Sequence, residues 1–201
     1  MDVFVNHYSL PPVDQQEWYR YMGVIQSSEE LEALADECRR EAENCFSPRV
    51  CYCEIPVCVE GDIVDLTFWK GNSRSLSNRL RGCDHAILFA ATVGLEIDRL
   101  IARYNRISSA KAVCFQALGT ERVEALCDAF CEEMKERVQK NGKEVTSRFS
   151  PGYGDLPLEM QRDIFRVLDC PRHVGISLNE SLLMSPAKSV TAILGLRKDH
   201  V

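Results

Sequence analysis

Residues 85–92, HAILFAAT, form an apolar run with polar residues only at its two ends. A short, continuous apolar run is typical of a strand that is buried on both faces. The segments SVTAILGL at 189–196 and VGISL at 174–178 predict two further strands. From 50 to 69 apolar and polar residues alternate or nearly alternate around Gly61, which predicts a β-hairpin with its turn at that glycine.

Helical patterns surround these strands. The longest runs from about 108 to 140, with apolar residues three or four positions apart and a candidate interruption at Gly119. Ser27 and Glu30 have the spacing of a capping box, which predicts a helix start. Two helices are predicted within 13–46, and single helices are predicted at 74–81, 95–105 and 158–168. Because helices and strands do not alternate strictly, we expect an α+β fold with a mixed or antiparallel sheet flanked by helices.

The composition is that of one globular domain over 1–201, with an N-terminal helical part at 1–48 and an α+β core at 49–201. A net charge of -6 does not provide the positive field that nucleic-acid binding needs, so no nucleic-acid partner is expected. The N-terminus does not resemble a signal peptide, and no run reaches the roughly 18 apolar residues of a membrane span. We therefore expect a cytoplasmic protein with no membrane partner.

The usual catalytic and metal-binding patterns are not found in the sequence. Its four histidines do not form an HExxH motif, its ten cysteines include no CxxC pair, and there is no P-loop or GxSxG elbow. Cys51 and Cys53 have the spacing of neighbours on one face of a strand, as core side chains do. The sequence therefore predicts no catalytic residue and no metal site, with most of the cysteines as reduced thiols in the core.

The segment RFSPGYGDLP, at 148–157, is rich in turn-forming residues. An ordinary turn between two elements is one interpretation. The other is a ligand-binding loop, in which the two glycines let a ligand lie on the main chain, the Tyr153 ring lines one wall and Pro151 stiffens the approach. Arg148 then offers a planar fork for a carboxylate. Such a loop fits a small ligand that carries a carboxylate and a flat ring system.

The pattern Arg-x-x-x-Gly-Tyr, from Arg148 to Tyr153, resembles the S-adenosylmethionine-binding motif of the activation (reactivation) domain of cobalamin-dependent methionine synthase. The segment ISLNESLLMSPAKSV, at 176–190, is similar to a second pattern of that family, with Asn179 in place of the usual Thr. The helix segment CDAFCEEMKERVQK resembles the family's helix that supplies an acidic ligand contact. That alignment places the acid at Asp128, with Glu124, one turn earlier, as the alternative.

The resemblance implies a ligand site and a reaction. In the family, the domain caps cobalamin so that inactive cob(II)alamin is restored to methylcobalamin by reduction and methyl transfer from S-adenosylmethionine. The electron comes from a flavodoxin-like or other reductase. By analogy, Arg148 would hold the methionyl carboxylate, Tyr153 would lie against the ligand, and Asp128 would face the sulfonium or amino group. The backbone of Ser150 and Gly152, on either side of Pro151, would contact the adenine or ribose edge.

The sequence also departs from the family. It contains no folate, homocysteine or cobalamin module, so we expect a stand-alone reactivation subunit that acts on cobalamin held by a partner such as methionine synthase. Gly154 stands where many members have proline, and the family's N-terminal acidic contact has no match in the sequence. Two other interpretations stay open: a non-catalytic S-adenosylmethionine-binding or corrinoid-docking module, and an unrelated cysteine-rich redox or metal protein.

Overall fold

The structure is a computed structural model that describes residues 2–198. Its helices are α1 (Gln15–Tyr21), α2 (Glu29–Glu41), α3 (Arg74–Leu80), α4 (Glu96–Tyr104), α5 (Ser109–Gln139), α6 (Met160–Leu168) and α7 (Cys170–Val174). Its strands are β1 (Phe4–His7), β2 (Arg49–Pro56), β3 (Cys58–Glu60), β4 (Ile63–Asp65), β5 (Lys70–Asn72), β6 (Cys83–Thr92), β7 (Lys143–Val145), β8 (Ser177–Leu178), β9 (Met184–Ser185) and β10 (Ser189–Lys198). The fold is α+β, as the sequence predicted.

The main sheet has five strands in the order β1-β2-β6-β10-β7, and every pairing in it is antiparallel. The two apolar runs that we identified first, β6 and β10, lie side by side within it. They pair along nearly their full length, from Ser189 opposite Thr92 to Arg197 opposite Cys83. The other strands form a three-stranded sheet, β3-β4-β5, and a small hairpin, β8-β9.

The sheet separates two apolar cores. Alternate side chains of β2 point to opposite faces, so Val50 and Tyr52 enter one core while Cys51 and Cys53 enter the other. The first core also contains residues of α1, α2, α4 and α5, and the second contains residues of α3, α6 and α7. Seven of the ten cysteines are buried, which agrees with their expected role as core side chains.

Several predicted elements need correction. Gly61 does turn a hairpin, but that hairpin joins β3 to β4, whereas β2 belongs to the main sheet. The side chain that caps α2 is Ser28, not Ser27. Helix α5 passes through Gly119 without a break. A Cβ at that position would approach the Lys188 side chain to 3.0 Å, so close packing explains this glycine better than an interruption does.

The C-terminal half of the chain departs from prediction at VGISL. Val174 ends helix α7, and only Ser177 and Leu178 of that segment are in a strand. Four short strands that the sequence did not predict, β1, β5, β7 and β9, are also present among the described residues. Within residues 2–198, none of the helices combines the length and the apolar character that crossing a membrane requires.

Candidate functional site

The start of the glycine loop (residues 148–157) is fixed by the main sheet. Phe149 and Ile193 of β10 exchange two backbone hydrogen bonds, of 3.0 and 2.9 Å. The Thr146 N–H donates to the Gly195 carbonyl over 2.9 Å. These bonds continue the antiparallel pairing of β10 beyond β7, so the backbone at Arg148 has a defined position at the sheet edge.

Arg148 extends from this edge to helix α5, where it contacts both acids that the sequence singled out. Its Nη2 donates a hydrogen bond to the Glu124 carboxylate. Its Nη1 lies 3.0 Å from Asp128 Oδ1 but is not aligned for a hydrogen bond. Glu124 and Asp128 are four residues apart and therefore share one face of the helix. The structure thus brings Arg148, Glu124 and Asp128 into one cluster.

The members of this cluster differ in exposure. The Arg148 side chain is 27% exposed, whereas that of Asp128 is 75% exposed. Burial by itself lowers the pKa of the Arg148 guanidinium, but electrostatic interactions with Cys127, Glu124 and Asp128, in that order, outweigh burial and raise it above its ordinary value. Arg148 therefore stays charged, and Asp128 is its exposed partner.

In the turn after Arg148, some backbone N–H and carbonyl groups form hydrogen bonds within the protein and others do not. The Tyr153 N–H donates to the Ser150 carbonyl over 3.3 Å, and the Gly152 N–H donates to the Leu156 carbonyl over 2.9 Å. Within residues 2–198, neither the Ser150 N–H nor the Gly152 carbonyl takes part in a hydrogen bond. The Tyr153 side chain beside them is 68% exposed. One donor, one acceptor and one aromatic face are therefore available on this part of the loop.

The next part of the loop is an anchor for helix α3. The Asp155 carboxylate accepts hydrogen bonds from the Ser73 hydroxyl at 2.7 Å and from the N–H groups of Arg74 and Ser75 at 2.8 and 3.1 Å. The Ser73 hydroxyl bond, with further help from those N–H groups, lowers the pKa of Asp155 to about 2. Asp155 thus satisfies backbone donors at the helix N-terminus, where a negative charge is stabilising.

Backbone conformation and close packing explain the two glycines. Gly154 has a φ of +57°, and a Cβ there would lie 2.6 Å from the Ser75 hydroxyl oxygen. Gly152 has a φ of +87°, and a Cβ there would lie 3.1 Å from the Leu158 side chain. Left-handed backbone and close neighbours therefore require glycine at both positions, whereas the sequence interpretation had them make room for a ligand.

Two clefts meet at Arg148 and Glu124. We call the first the loop cleft: its volume is about 500 Å³, and its walls come from the glycine loop, Gln161 of α6 and the segment around β9 and β10. The second, the acidic cleft, has a volume of about 680 Å³ and lies between α1 and α5. The acidic cleft is lined by six carboxylates, those of Asp14, Glu17, Glu121, Glu124, Asp128 and Glu132.

Sequence reasoning missed two polar residues in the loop cleft, Gln161 and Thr191. Both are buried, and within the described part of the chain neither Gln161 Oε1 nor Thr191 Oγ1 has a hydrogen-bond partner. Another cavity, of about 610 Å³, lies between residues 8–13, α2 and Arg122, and none of the predicted site residues lines it. No group of three or more His, Cys, Asp or Glu side chains suited to a metal ion occurs among residues 2–198.

Comparison with known proteins agrees with the resemblance seen in the sequence. Residues 77–199 match the family model described as "Vitamin B12 dependent methionine synthase, activation domain", and this match covers more than half of the chain. The chain belongs to this family. The matched range of the activation domain runs from within α3 to β10, so it contains the glycine loop, α5 and all of the residues that line the loop cleft. Asp14 and Glu17 of the acidic cleft lie outside it.

The fold of this activation domain is also found in a solved structure. The "Crystal Structure of the MetH Reactivation Domain bound to AdoHcy" superposes with a TM-score of 0.75 at 17% sequence identity. The superposition covers 100% of this chain and 80% of that chain. At this identity the similarity establishes the fold. No curated protein sequence matches the chain.

Proposed function

We propose that this activation domain binds S-adenosylmethionine where the two clefts meet, and that it supports the reductive methylation of cob(II)alamin held by a partner protein. The observation that carries this proposal is the cluster of Arg148, Glu124 and Asp128 beside the glycine loop. Opposite charges at the junction of two clefts suit a zwitterionic amino acid. Membership in the family of vitamin B12 dependent methionine synthase activation domains supports the choice of ligand and reaction.

The methionyl end of the ligand would bind at Arg148. Its carboxylate takes Nη1, because the contact of Nη1 with Asp128 lacks hydrogen-bond alignment and Asp128 is free to turn. Glu124 keeps its hydrogen bond to Nη2 and holds the guanidinium in place. Asp128 then faces the ammonium or sulfonium, where a negative charge is favourable. This exchange keeps the Arg148–Glu124 ion pair, replaces the Arg148–Asp128 pair by ion pairs of both residues with the ligand, and adds a charge-assisted hydrogen bond from Arg148.

The adenosyl end would lie along the loop cleft. The unused Ser150 N–H and Gly152 carbonyl offer the donor and the acceptor that one edge of adenine requires. Pro151 between them is buried and limits the motion of this turn, which lowers the entropy lost on binding. The exposed Tyr153 ring would lie against the ligand. A cleft of about 500 Å³ is within the usual range of small-molecule sites.

This arrangement suits methyl transfer without an acid or a base. A sulfonium is already an activated methyl donor, so the protein's contribution is to orient the methyl group in line with its acceptor. Cobalamin, held by the partner, supplies the cobalt that accepts the methyl group. A flavodoxin-like or other reductase would supply the electron. In this proposal the residues of this chain bind and orient the ligand, and the partner holds the metal.

Calorimetric titration with S-adenosylmethionine tests the ligand assignment. We expect binding to the wild type and an affinity about ten- to hundredfold lower for Arg148→Ala, as is typical of a lost charge-assisted contact. Arg148→Lys should restore little of it, because lysine keeps the charge but loses the planar fork. Arg197→Ala is the matched control, since it removes an arginine paired with Glu144 outside both clefts. Equal affinities for Arg148→Ala and the wild type would contradict the assignment.

A reconstituted reaction tests the activity. It contains the protein, a methionine synthase that carries cob(II)alamin, a reductant and S-adenosylmethionine. We expect the absorbance spectrum of methylcobalamin to develop with the wild type and much more slowly with Arg148→Ala. Binding of S-adenosylmethionine without methylcobalamin formation would indicate the alternative function, a non-catalytic binding or corrinoid-docking module.

A further inference from the structure

Two buried polar side chains of the loop cleft have no structural explanation. Gln161 is 6% exposed and Thr191 is 1% exposed. Within residues 2–198, Gln161 Oε1 and Thr191 Oγ1 have no hydrogen-bond partner, yet both residues line the cleft. Buried polar groups without a partner destabilise the fold and are rare in native proteins. A ligand that fills the cleft is therefore the natural partner for both.

The fold holds both side chains firmly in this position. Thr191 lies on the same face of β10 as Ile193, and Ile193 pairs with Phe149 at the start of the glycine loop. Gln161 lies on α6 one turn before Ile164 and Phe165, which pack in the core beneath the sheet. One residue comes from the central sheet and the other from a packed helix, so neither can move far to find another partner.

The loop cleft is lined by two chemically different sets of residues. The charged set consists of Arg79, Glu124 and Arg148. The uncharged set includes Gln161 and Thr191, together with the apolar residues Met184 and Val190. An amino-acid moiety suits the charged set. Uncharged hydroxyl, amino and ring-nitrogen groups on a flat, partly apolar body suit the uncharged set, and a nucleoside has that chemistry.

We propose that Gln161 and Thr191 hydrogen-bond the nucleoside half of the ligand and set the specificity of the site for an adenosyl group. Gln161 Oε1 accepts a hydrogen bond from a hydroxyl or amino group of the nucleoside. The Thr191 hydroxyl forms a second hydrogen bond with the nucleoside. Ser150 and Gly152 contact the same half of the ligand through the main chain. This inference rests on the proposed function, because it takes S-adenosylmethionine as the ligand.

The test compares two ligands and four variants by calorimetry. S-adenosylmethionine contains both halves, whereas 5′-methylthioadenosine contains the nucleoside and lacks the amino-acid moiety. Thr191→Val and Gln161→Met should each lower the affinity for both ligands by about the same factor, roughly three- to tenfold for one hydrogen bond between uncharged groups. Arg148→Ala should lower the affinity for S-adenosylmethionine alone. Thr191→Ser, which keeps the hydroxyl, should bind both ligands with nearly wild-type affinity.

Melting temperature separates a ligand-binding role from a structural one. Thr191→Val removes a hydroxyl that has no partner within residues 2–198, so the variant should melt at the same or a higher temperature than the wild type. Thr146→Val is the matched control, because its hydroxyl accepts from the Gly195 N–H over 2.9 Å and Thr146 does not line the loop cleft. That variant should melt at a lower temperature and bind both ligands normally.

Each outcome decides between the proposals. If the wild type binds S-adenosylmethionine while Thr191→Val and Gln161→Met bind it equally well, this inference is wrong and the proposed function stands. If these two variants lose affinity for S-adenosylmethionine but not for 5′-methylthioadenosine, the inference is also wrong. A lower melting temperature for Thr191→Val than for the wild type would overturn it as well. If the wild type binds neither ligand, the proposed function is contradicted and the inference falls with it.

Discussion

The two parts of the glycine loop differ in what their polar groups contact. In the first part, Arg148–Tyr153, a forked guanidinium faces two clefts, and the Ser150 N–H and Gly152 carbonyl have no partner within residues 2–198. In the second part, residues 154–157, the Asp155 carboxylate accepts three hydrogen bonds from residues 73–75, at the N-terminus of α3. A single motif thus combines a candidate ligand site with the anchor that positions it, and only its first part is available for binding.

The largest effect on stability is expected from the anchor. Gly154→Ala should lower the free energy of unfolding by about 3 kcal/mol, because the left-handed backbone strains a Cβ and that Cβ overlaps Ser75. The affinity for S-adenosylmethionine should change much less than in Arg148→Ala. Urea unfolding and calorimetry measure the two quantities.

A matched control separates strain from overlap at this glycine. Gly142 has a similar φ of +62°, but a Cβ there would meet nothing within 4 Å among the described residues. Gly142→Ala should therefore cost only the backbone strain, about 1 kcal/mol. If the two variants lost the same free energy of unfolding, the overlap of the Cβ with Ser75 would add nothing to the cost at Gly154.

A smaller, pH-dependent effect is expected at Asp155. Its pKa is lowered to about 2, chiefly by the hydrogen bond from the Ser73 hydroxyl, against an ordinary value of 3.8. Since the folded-state pKa is the lower one, ionised Asp155 stabilises the protein above about pH 4, and this contribution disappears as the pH falls towards 2. Asp155→Asn should therefore melt below the wild type at pH 7, and the difference should shrink steadily below pH 4.

The pH profile needs its own control. Asp36→Asn removes a surface carboxylate that pairs with Arg39 three residues away, and such exposed pairs contribute little. This variant should follow the wild-type profile closely. If the difference between Asp155→Asn and the wild type were the same at every pH, Asp155 would not act as an ionised cap.

Sequence alone predicted the parts of the fold whose signal is local and long. The apolar runs of β6 and β10 and the periodicity of α5 each extend over eight residues or more, so neighbouring residues reinforce one pattern. Strands β1, β5 and β7 have only three or four residues each, and pairing with other strands is what defines them. The partner of β1 begins at Arg49, more than 40 residues away, and no local pattern identifies it.

The site residues also divide into those that the sequence could identify and those that only the tertiary structure reveals. The loop sequence singled out Arg148, and the family resemblance pointed to Glu124 and Asp128, which the structure places against it. Asp155 was not recognised as a cap because the helix that it caps lies about 80 residues earlier in the chain. Gln161 and Thr191 became candidates only when packing showed that their polar atoms are buried without partners. Such a property belongs to the tertiary structure and has no sequence signature.

Amide chemical shifts during a titration with S-adenosylmethionine test the division of the loop most directly. We predict large shifts at Arg148, Ser150 and Gly152, and small ones at Asp155 and at Ser75 on the capped helix. The same pattern should persist in Gly154→Ala if that variant is folded, and it should be lost in Arg148→Ala at equal ligand concentration. Shifts concentrated at Asp155 and α3, with none from Arg148 to Gly152, would contradict the proposal that the first part of the loop binds the methyl donor.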